Sequence, residues 1–349
     1  MPTFEKLLGR WDGEQVVIRH DRESGAWIFI CIHSTRLGPA GGGTRMKVYD
    51  TPADGLADAM RLAEGMTSKL AVARIGLGGG KGVIAVPELP RGERRRELLR
   101  RYGDMVASLG GNFRTGADLN TGEADMDAIS ERTEFAFGLS QANGGAGDPG
   151  RYTAIGVLHG IRASLAHALG DPDLGGRTVL VQGAGSVGSA LAELLADAGA
   201  SVVVADVDAE RAATVAAAAR GVTVAADEVI GTDCDVYAPC ALGGTLSTVT
   251  VPRLRCKIVA GSANNQLAGP DVAQLLRDRG ILYAPDYVIN AGGAIAIVGL
   301  EQQGRSAADI DAALARIGTT LEEIYERADE EGITTAAAAD AAAAARLVA

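Results

Sequence analysis

The sequence predicts an α/β protein of two domains, and three observations support this fold class. The chain has 349 residues, enough for two domains of roughly 100–200 residues each. From Thr178 onward, short valine- and isoleucine-rich runs alternate with helix-like segments, which is typical of a parallel sheet. A stretch at 143–150 holds four glycines and a proline, and we interpret it as the hinge between the domains.

The predicted domains span 1–147 and 148–329. The first is expected to begin with two strands, at 15–19 and 26–31, joined by a turn. Apolar residues then recur at helical spacing between 53 and 68, which places Lys69 near a helix C-terminus, where the helix dipole favours a cation. The basic run 91–101 also contains glutamates at helical spacing and is expected to be a solvated helix face.

The second domain is expected to contain parallel strands joined by helices. The strand-like runs are Thr178–Gln182, Ser201–Ala205, 235–238, 257–260 and 281–284. Beyond this domain, the alanine-rich end of the chain, from about 330 to 349, has high helix propensity. We expect it to form a helix that packs back on the first domain.

Composition excludes several kinds of partner. The net charge is −11, and no basic stripe with interleaved aromatic residues offsets it, so neither nucleic acid nor an anionic membrane is expected to bind. The four cysteines lack the spacing of zinc ligands, and no metal is expected. With no recognisable signal peptide and no apolar stretch of about 18 residues, the protein is expected to be cytoplasmic, with reduced thiols.

A glycine-rich tract at 76–80 ends at Lys81, and Lys69 lies twelve residues before that lysine. Glycines of this kind can let a ligand approach the backbone closely. Together with the two lysines they suggest a site for a small anionic substrate and a base. The structural alternative is that Lys69 is a surface lysine at the end of a helix.

A second glycine motif predicts a dinucleotide site. Gly183, Gly185 and Gly188 form G-x-G-x-x-G between a strand-like run and a helical pattern, an arrangement that places a pyrophosphate at a helix N-terminus. Asp206 ends the next strand and would accept hydrogen bonds from ribose hydroxyls while repelling a 2′-phosphate, which favours NAD over NADP. Asp208 is interpreted as a helix cap. The alternative is a glycine-rich turn without a cofactor.

Short motifs occur along nearly the whole chain. In the first half they are Leu-Gly-Pro-Ala-Gly-Gly-Gly-Thr-Arg at 37–45, Gly-Met-Thr-Ser-Lys at 65–69, Gly-Gly-Gly-Lys at 78–81 and Thr-Gly-Ala-Asp at 115–118. In the second half they are Tyr-Ala-Pro-Cys-Ala-Leu-Gly-Gly at 237–244, Gly-Ser-Ala-Asn-Asn-Gln at 261–266 and Asn-Ala-Gly-Gly at 290–293. With these motifs the chain resembles the glutamate, leucine, valine and phenylalanine dehydrogenases. Its length and motif sequences most resemble those of actinobacterial phenylalanine and branched-chain enzymes.

The resemblance implies NAD-dependent, reversible oxidative deamination of an L-amino acid to a 2-oxoacid and ammonium. It also implies a homo-oligomer, in which an N-terminal α/β domain serves substrate binding and oligomerisation and a Rossmann domain with a doubly wound parallel sheet binds NAD. The active site is expected in the cleft between the two domains.

The resemblance further implies roles for individual residues. Lys69 and Asn264 match the residues that hold the substrate carboxylate, Lys81 matches the base that activates water, and Asp118 matches the residue that exchanges protons with the substrate nitrogen. Further substrate-binding positions are Gly41, Gly42, Met66, Gly116, Ala294 and Ile297. Further cofactor-binding positions, besides Asn264, the three motif glycines and Asp206, are Thr153, Ser186, Val187, Cys240, Ala241, Ser262, Ala263 and Asn290.

A lysine acts as a base near neutral pH only if its pKa is lowered by burial or by a neighbouring cation. We expect Lys69 to be a cation that lowers the pKa of Lys81 and Asp118 to oppose it, so that the cluster titrates as a unit. Taken alone, Asp118 can also be interpreted as a helix cap.

Substrate size is predicted from residues that differ between the family's enzymes. Glutamate dehydrogenases carry a lysine at the Gly41 position and a serine at the Ile297 position, so an apolar pocket here would leave a glutamate carboxylate unpaired. Leucine and valine dehydrogenases carry larger residues than Gly41, Gly116 and Ala294. The sequence therefore predicts an enlarged apolar pocket, with phenylalanine as the favoured substrate.

Other interpretations remain open on the sequence alone. One is a branched-chain dehydrogenase for leucine or valine. An amine dehydrogenase is disfavoured because Lys69 and Asn264, the carboxylate-binding residues, are both present. An alternative of another class is a catalytically inactive NAD-binding regulatory protein, which would be expected to have lost Lys81 or Asp118.

Overall fold

The computed structural model describes residues 4–348, which form two compact units. The first unit contains the chain up to Gly147, the segment Ile297–Gly304 and the residues from Ala343 onward. The second contains Asp148–Ala296 and Arg305–Ala342. Only the final turns of the C-terminal helix therefore belong with the first unit, which corrects the expectation that the whole of 330–349 packs there.

The first unit contains a mixed five-stranded sheet in the order β1-β2-β4-β3-β5. Its strands are β1 (Gln15–Asp21), β2 (Ala26–Ser34), β3 (Ala40–Lys47), β4 (Gly78–Ala85) and β5 (Phe113–Ala117). The predicted strand pair is confirmed, because β1 and β2 pair antiparallel. β4 pairs antiparallel with β2 and parallel with β3, which also pairs parallel with β5.

Helices cover both faces of this sheet. They are α1 (Phe4–Leu8), α2 (Pro52–Val72), α3 (Gly92–Ala107) and α4 (Glu123–Ser130). The expected helix before Lys69 is confirmed as α2, which begins with a capping box between Thr51 and Asp54. The basic run is confirmed as an exposed face of α3, where Arg96 and Arg100 both pair with Glu131.

The second unit contains a parallel six-stranded sheet, which confirms the predicted doubly wound fold. Its strands are β6 (Thr178–Gln182), β7 (Ser201–Ala205), β8 (Val222–Thr223), β9 (Val236–Pro239), β10 (Ile258–Val259) and β11 (Leu282–Tyr283). From β8 to β11 the spatial order is β8-β7-β6-β9-β10-β11, which is the Rossmann order 3-2-1-4-5-6. The sequence did not predict β8, because two residues are too short to show a strand pattern.

The helices of the second half of the chain flank and follow these strands. They are α5 (Gly150–Leu169), α6 (Ser186–Asp197), α7 (Ala209–Ala218), α8 (Asp271–Asp278), α9 (Asp286–Ile289), α10 (Gly292–Ile297), α11 (Ala307–Glu331) and α12 (Thr335–Val348). A π-helical turn, Val298–Gln302, follows α10 and belongs to the first unit. No helix between residues 4 and 348 is both long and apolar enough to span a membrane.

Candidate active site

The pleat of the first unit's sheet places several predicted site residues on one face. Lys81 and Gly79 are two residues apart on β4, so they lie on the same face of the sheet. Gly41 pairs with Gly79, and Gly43 pairs with Gly116, so Gly41 and Gly116 lie on this face too. Helix α2 covers part of it, since an added β-carbon at Gly79 would lie 2.0 Å from the Thr67 hydroxyl oxygen. Lys69 lies in the last turn of α2 and is partly buried.

A chain of alternating charges surrounds Lys81, which is only 4 % exposed. Its Nζ lies 3.1 Å from Oδ2 of Asp118, and the same oxygen accepts a 2.8 Å hydrogen bond from Nε of Arg45. Arg45 also donates to Asp58 at 2.8 Å, and the Tyr49 hydroxyl donates to Asp58 at 2.7 Å. Opposite charges therefore alternate from Lys81 to Asp58, which compensates much of the cost of burying them.

Burial is the largest influence on the pKa of Lys81 and lowers it, the Asp118 carboxylate partly opposes this, and the Arg45 guanidinium lowers it further. Burial alone would raise the pKa of Asp118, but Lys81 and Arg45 together outweigh it and hold that pKa below its ordinary value. The predicted coupling between the titrations of Lys81 and Asp118 is consistent with their 3.1 Å contact. Arg45 is a cation near Lys81 that the sequence did not suggest; the influence of Lys69 on the pKa of Lys81 stays a prediction.

Asp118 does not cap a helix, because α4 begins only after Gly122. Its backbone instead forms a turn, in which its N–H donates to the Thr121 hydroxyl at 2.9 Å. That hydroxyl in turn donates to the carbonyl of Thr44 on β3 at 2.7 Å. These hydrogen bonds hold the turn against β3 and fix the backbone position from which the Asp118 side chain extends.

The glycines on either side of Lys81 pack closely against other parts of the protein, and close approach of a ligand to this tract stays a prediction. An added β-carbon at Gly78 would lie 1.9 Å from the carbonyl oxygen of Ser34. One at Gly82, the residue after Lys81, would lie 2.0 Å from the hydroxyl oxygen of Tyr102. Larger residues at these positions would push β4 away from its neighbours. The glycines therefore allow close packing around Lys81 within the protein itself.

The predicted enlargement of the substrate pocket is also corrected at two positions. A β-carbon at Gly41 would lie 2.9 Å from Leu77 and 3.3 Å from Leu70. One at Gly116 would lie 2.3 Å from the ring of Phe137. The volume that these glycines leave is therefore occupied by neighbouring side chains.

The remaining predicted substrate positions lie on the same sheet and on two helices. An added β-carbon at Gly42 would lie 1.8 Å from the carbonyl oxygen of Gly80, so this glycine is required by the sheet itself. Met66 is partly buried on α2. Ala294 and Ile297 are three residues apart on α10, which places them on one helix face, and both are partly exposed.

The three glycines of the dinucleotide motif have distinct surroundings in the second unit. Gly183 has a φ of +106°, and its β-carbon would lie 2.8 Å from Ala241. Gly185, which precedes the first turn of α6, has no described heavy atom within 4 Å of an added β-carbon, whereas one at Gly188 would lie 1.8 Å from the Gly183 carbonyl oxygen. Gly183 thus forms the tight turn, Gly188 packs the helix on the strand, and the open side at Gly185 fits a pyrophosphate.

Asp206 lies directly after β7 and is bonded to the glycine-rich turn. Its Oδ2 accepts the Ala184 N–H at 2.7 Å, while Oδ1 accepts the Asp208 N–H at 2.9 Å and lies 3.2 Å from the Arg211 guanidinium. Burial raises the pKa of Asp206, but these hydrogen bonds and Arg211 outweigh it and keep the pKa below its usual value. The predicted helix cap is confirmed, since Asp208 accepts the Arg211 N–H at the start of α7.

The other predicted cofactor residues follow the carboxyl ends of neighbouring strands or begin helices. Cys240 and Ala241 follow β9, and Ser262, Ala263 and Asn264 follow β10. Asn290 donates from Nδ2 to the Asn264 side chain at 2.6 Å and to the Ser262 carbonyl at 3.1 Å. Thr153, in the first turn of α5, donates to the Pro149 carbonyl at 3.0 Å, and the Ser186 hydroxyl donates to Asp148. Val187 is the second residue of α6.

Sequence reasoning missed four residues around Lys81 and Gly116. Arg45 closes the motif at 37–45, and that position was a usable signal. Asp58 and Tyr49 carried no signal beyond helical spacing and a lone aromatic residue. Phe137 lies outside every motif, so only the fold places it beside Gly116. Among the residues between 4 and 348, no three His, Cys, Asp or Glu side chains are grouped to hold a metal ion.

Comparison with known proteins shows the family to which this chain belongs. The Glu/Leu/Phe/Val dehydrogenase dimerisation domain matches residues 15–135, and the Glutamate/Leucine/Phenylalanine/Valine dehydrogenase domain matches residues 144–210 and 204–349. A valine dehydrogenase of Streptomyces albus is 47% identical over 331 residues, which cover 94% of this chain and 90% of the relative. A leucine dehydrogenase of Geobacillus stearothermophilus is 40% identical over 335 residues, covering 96% and 90%.

Solved structures give the same result. The crystal structure of L-tryptophan dehydrogenase from Nostoc punctiforme superimposes with a TM-score of 0.87 at 38% identity, covering 99% of this chain and 98% of that one. The hetero-hexameric glutamate dehydrogenase of Thermus thermophilus, in a Leu-bound form, has a TM-score of 0.75 at 25% identity, covering 95% and 87%. Because the matched domains span most of the chain and the motif lysines and aspartate are intact, this chain belongs to the Glu/Leu/Phe/Val dehydrogenase family and is an amino-acid dehydrogenase.

Proposed function

We propose that this protein catalyses the NAD-dependent, reversible oxidative deamination of branched-chain L-amino acids, with valine or leucine preferred over phenylalanine. The observation that carries the reaction is the buried contact between Lys81 and Asp118 at 3.1 Å. The preference for a smaller side chain is supported by the filled volume at Gly41 and Gly116. The similar valine and leucine dehydrogenases support the same preference.

The proposed chemistry uses Lys81 as a general base. Burial favours its neutral amine, which can take a proton from the water that attacks the substrate iminium carbon. Asp118, kept ionised by its contact with the Arg45 guanidinium while Lys81 is neutral, accepts a proton from the substrate nitrogen and returns it as ammonia leaves. Lys69 and Asn264 are proposed to bind the substrate carboxylate. NAD, when bound, accepts the hydride from the substrate α-carbon.

NAD rather than NADP is proposed from the second unit. The open side of Gly185 would take the pyrophosphate at the N-terminus of α6, and the ionised Asp206 would bind the ribose hydroxyls and repel a 2′-phosphate. Arg211 does not reverse this preference, because its guanidinium already lies within 3.2 Å of Asp206 and 3.6 Å of Asp208. We also propose a homo-oligomer, supported by the match to a dimerisation domain; the hetero-hexameric Thermus relative supports assembly into an oligomer. Sedimentation or light scattering would measure its size.

A second candidate is an enzyme for aromatic amino acids. It is favoured by the Nostoc L-tryptophan dehydrogenase, which superimposes along nearly the whole chain. Steady-state kinetics with NAD and L-valine, L-leucine, L-phenylalanine, L-tyrosine and L-tryptophan separates the two. The highest kcat/KM for valine or leucine supports the proposal, whereas the highest kcat/KM for an aromatic substrate supports the second candidate.

A further inference from the structure

The segment 135–137 runs as a short parallel neighbour of β5. The Thr115 N–H donates to the Phe135 carbonyl at 2.9 Å, and the Phe137 N–H donates to the Thr115 carbonyl at 2.9 Å. This pairing sets Phe137 beside Gly116, the next residue of β5. The ring of Phe137 occupies the place of the missing side chain, 2.3 Å from where a β-carbon at Gly116 would lie. Gly116 shares a sheet face with Lys81, so the ring also lies on that face.

Side chains of the π-helical turn hold the backbone on both sides of Phe137. Before it, Nε2 of Gln302 donates to the carbonyl of Ala136 at 3.3 Å, and the side-chain oxygen Oε1 of Gln302 accepts a hydrogen bond from the Arg114 guanidinium on β5. After it, the carboxylate of Glu301 accepts backbone N–H groups from Gly138 at 2.7 Å, Leu139 at 3.4 Å and Ala146 at 2.8 Å.

Hydrogen bonds from backbone N–H groups to a carboxylate are stronger than those between neutral groups. Glu301 therefore fixes the loop that follows Phe137, and Gln302 fixes the residue that precedes it. A larger substrate side chain on this face would need the ring to move. Such a movement would strain or break these hydrogen bonds. The Phe137 ring therefore both occupies this volume and resists displacement from it.

We propose that Phe137 limits the size of the substrate side chain that this enzyme accepts, and that Glu301 is a positioning residue that holds the Phe137 ring over Gly116. The inference rests on the proposed function, because it assumes that the substrate side chain lies on the Lys81 face of the sheet. It goes further by assigning the limit to a residue outside the family motifs. The Phe137 ring fills the volume that is left by the absence of a side chain at Gly116.

The test is the ratio of kcat/KM for L-phenylalanine to kcat/KM for L-valine, with NAD, in the full-length enzyme. Phe137→Ala is expected to raise this ratio at least about tenfold, since a single methylene in an apolar pocket is worth 10–200-fold in discrimination. Phe135→Ala is the matched control: it removes the same ring two residues earlier, where the ring faces Gly111 instead of Gly116. The control is expected to leave the ratio unchanged. An unchanged ratio in Phe137→Ala, or an equal rise in the control, overturns the proposal.

Glu301 is tested by the same ratio. Glu301→Ala is expected to raise it in the same direction as Phe137→Ala but less, and Glu301→Gln, which keeps one carbonyl acceptor, is expected to restore part of the wild-type ratio. A purely structural role would lower kcat/KM for both substrates equally, and that result would overturn the positioning role. NADH binding and Tm, measured on each variant, verify that it is folded.

The two proposals fail in different ways. If the wild-type enzyme oxidises none of the five amino acids in the panel, the proposed function fails and this inference fails with it. If the wild type is active with any of them and the Phe137→Ala ratio does not move, only the inference is wrong. The inference survives a wild-type preference for an aromatic substrate, provided that Phe137→Ala still shifts the ratio toward the larger side chain.

Discussion

The Nζ of Lys81 and the Oδ2 of Asp118 lie 3.1 Å apart in a part of the first unit where Lys81 is almost fully buried. A buried lysine next to a carboxylate is subject to two opposing influences: burial favours the neutral amine, and the carboxylate favours the ammonium. Arg45, which bonds the same Asp118 oxygen, adds positive charge and favours the neutral amine. The balance among these three groups determines the pH at which the proposed base works, and each can be changed separately.

Lys81→Met is expected to lower kcat by a factor of about 100 to 10,000, which is the usual contribution of a general base. NADH affinity, measured by fluorescence titration, should stay near that of the wild type, because the cofactor site is built by the second unit. Lys257→Met, at an exposed lysine, serves as the control and should leave kcat unchanged. Turnover at the wild-type rate in Lys81→Met would remove this residue from the mechanism.

Asp118→Asn is expected to move the rising limb of the pH profile to lower pH. The proposed base is active when unprotonated, so kcat/KM rises as the pH passes through the pKa of Lys81. The Asp118 carboxylate raises that pKa by stabilising the ammonium, and asparagine cannot. The residual activity should therefore reach its plateau at a lower pH than in the wild type. If the rising limb does not move, the group that titrates in it is not Lys81.

Arg45→Gln is expected to shift the same limb in the opposite direction. The guanidinium lowers the pKa of Lys81, so its removal raises that pKa and moves the limb to higher pH. Arg61→Gln is the matched control, because Arg61 bonds the other oxygen of Asp58 at 2.7 Å and is not in contact with Lys81. A shift of the same size in both variants would mean that the net charge of the region, and not the contact with Asp118, sets the pKa.

Much of the fold could be predicted because its signals are local. The strand pair β1 and β2, helix α2 and the parallel strands of the second unit each follow from residues within a few positions of one another. The glycines on either side of Lys81 show where local reasoning fails, because the atoms that exclude a side chain belong to Ser34 at Gly78 and to Tyr102 at Gly82. Contacts between such distant positions follow from the tertiary fold and leave no periodic pattern.

The same limit applies to the site. Lys81 and Asp118 could be identified because each lies in a motif of characteristic composition. The size of the pocket could not, because the ring that replaces the side chain missing at Gly116 comes from Phe137, 21 residues later in the sequence. A glycine on a strand indicates free volume only if nothing else packs there, and the sequence alone does not reveal the neighbour.

Asp206→Ala is expected to weaken NAD binding and to raise the ratio of NADP to NAD affinity by about tenfold, or ~1.4 kcal/mol. The carboxylate that would repel a 2′-phosphate is removed, and the Arg211 guanidinium is left beside the site. Asp208→Ala is the control: it removes the cap of α7 and should cost about 1 kcal/mol of stability while leaving coenzyme preference unchanged. The same preference in Asp206→Ala as in the wild type would show that Asp206 does not bind the ribose.

Gly185→Ala and Gly188→Ala separate cofactor binding from folding within one motif. Gly185 has a φ of −77°, which alanine adopts without strain, and no described atom lies within 4 Å of the added carbon. Its variant should therefore keep nearly the wild-type Tm but bind NADH about tenfold more weakly, ~1.4 kcal/mol, because the methyl group occupies the proposed pyrophosphate position. Gly188→Ala forces a carbon to within 1.8 Å of the Gly183 carbonyl oxygen and should destabilise the second unit by about 1–3 kcal/mol. Calorimetry and fluorescence titration on both variants provide the comparison, and full NADH affinity in a well-folded Gly185→Ala would place the pyrophosphate elsewhere.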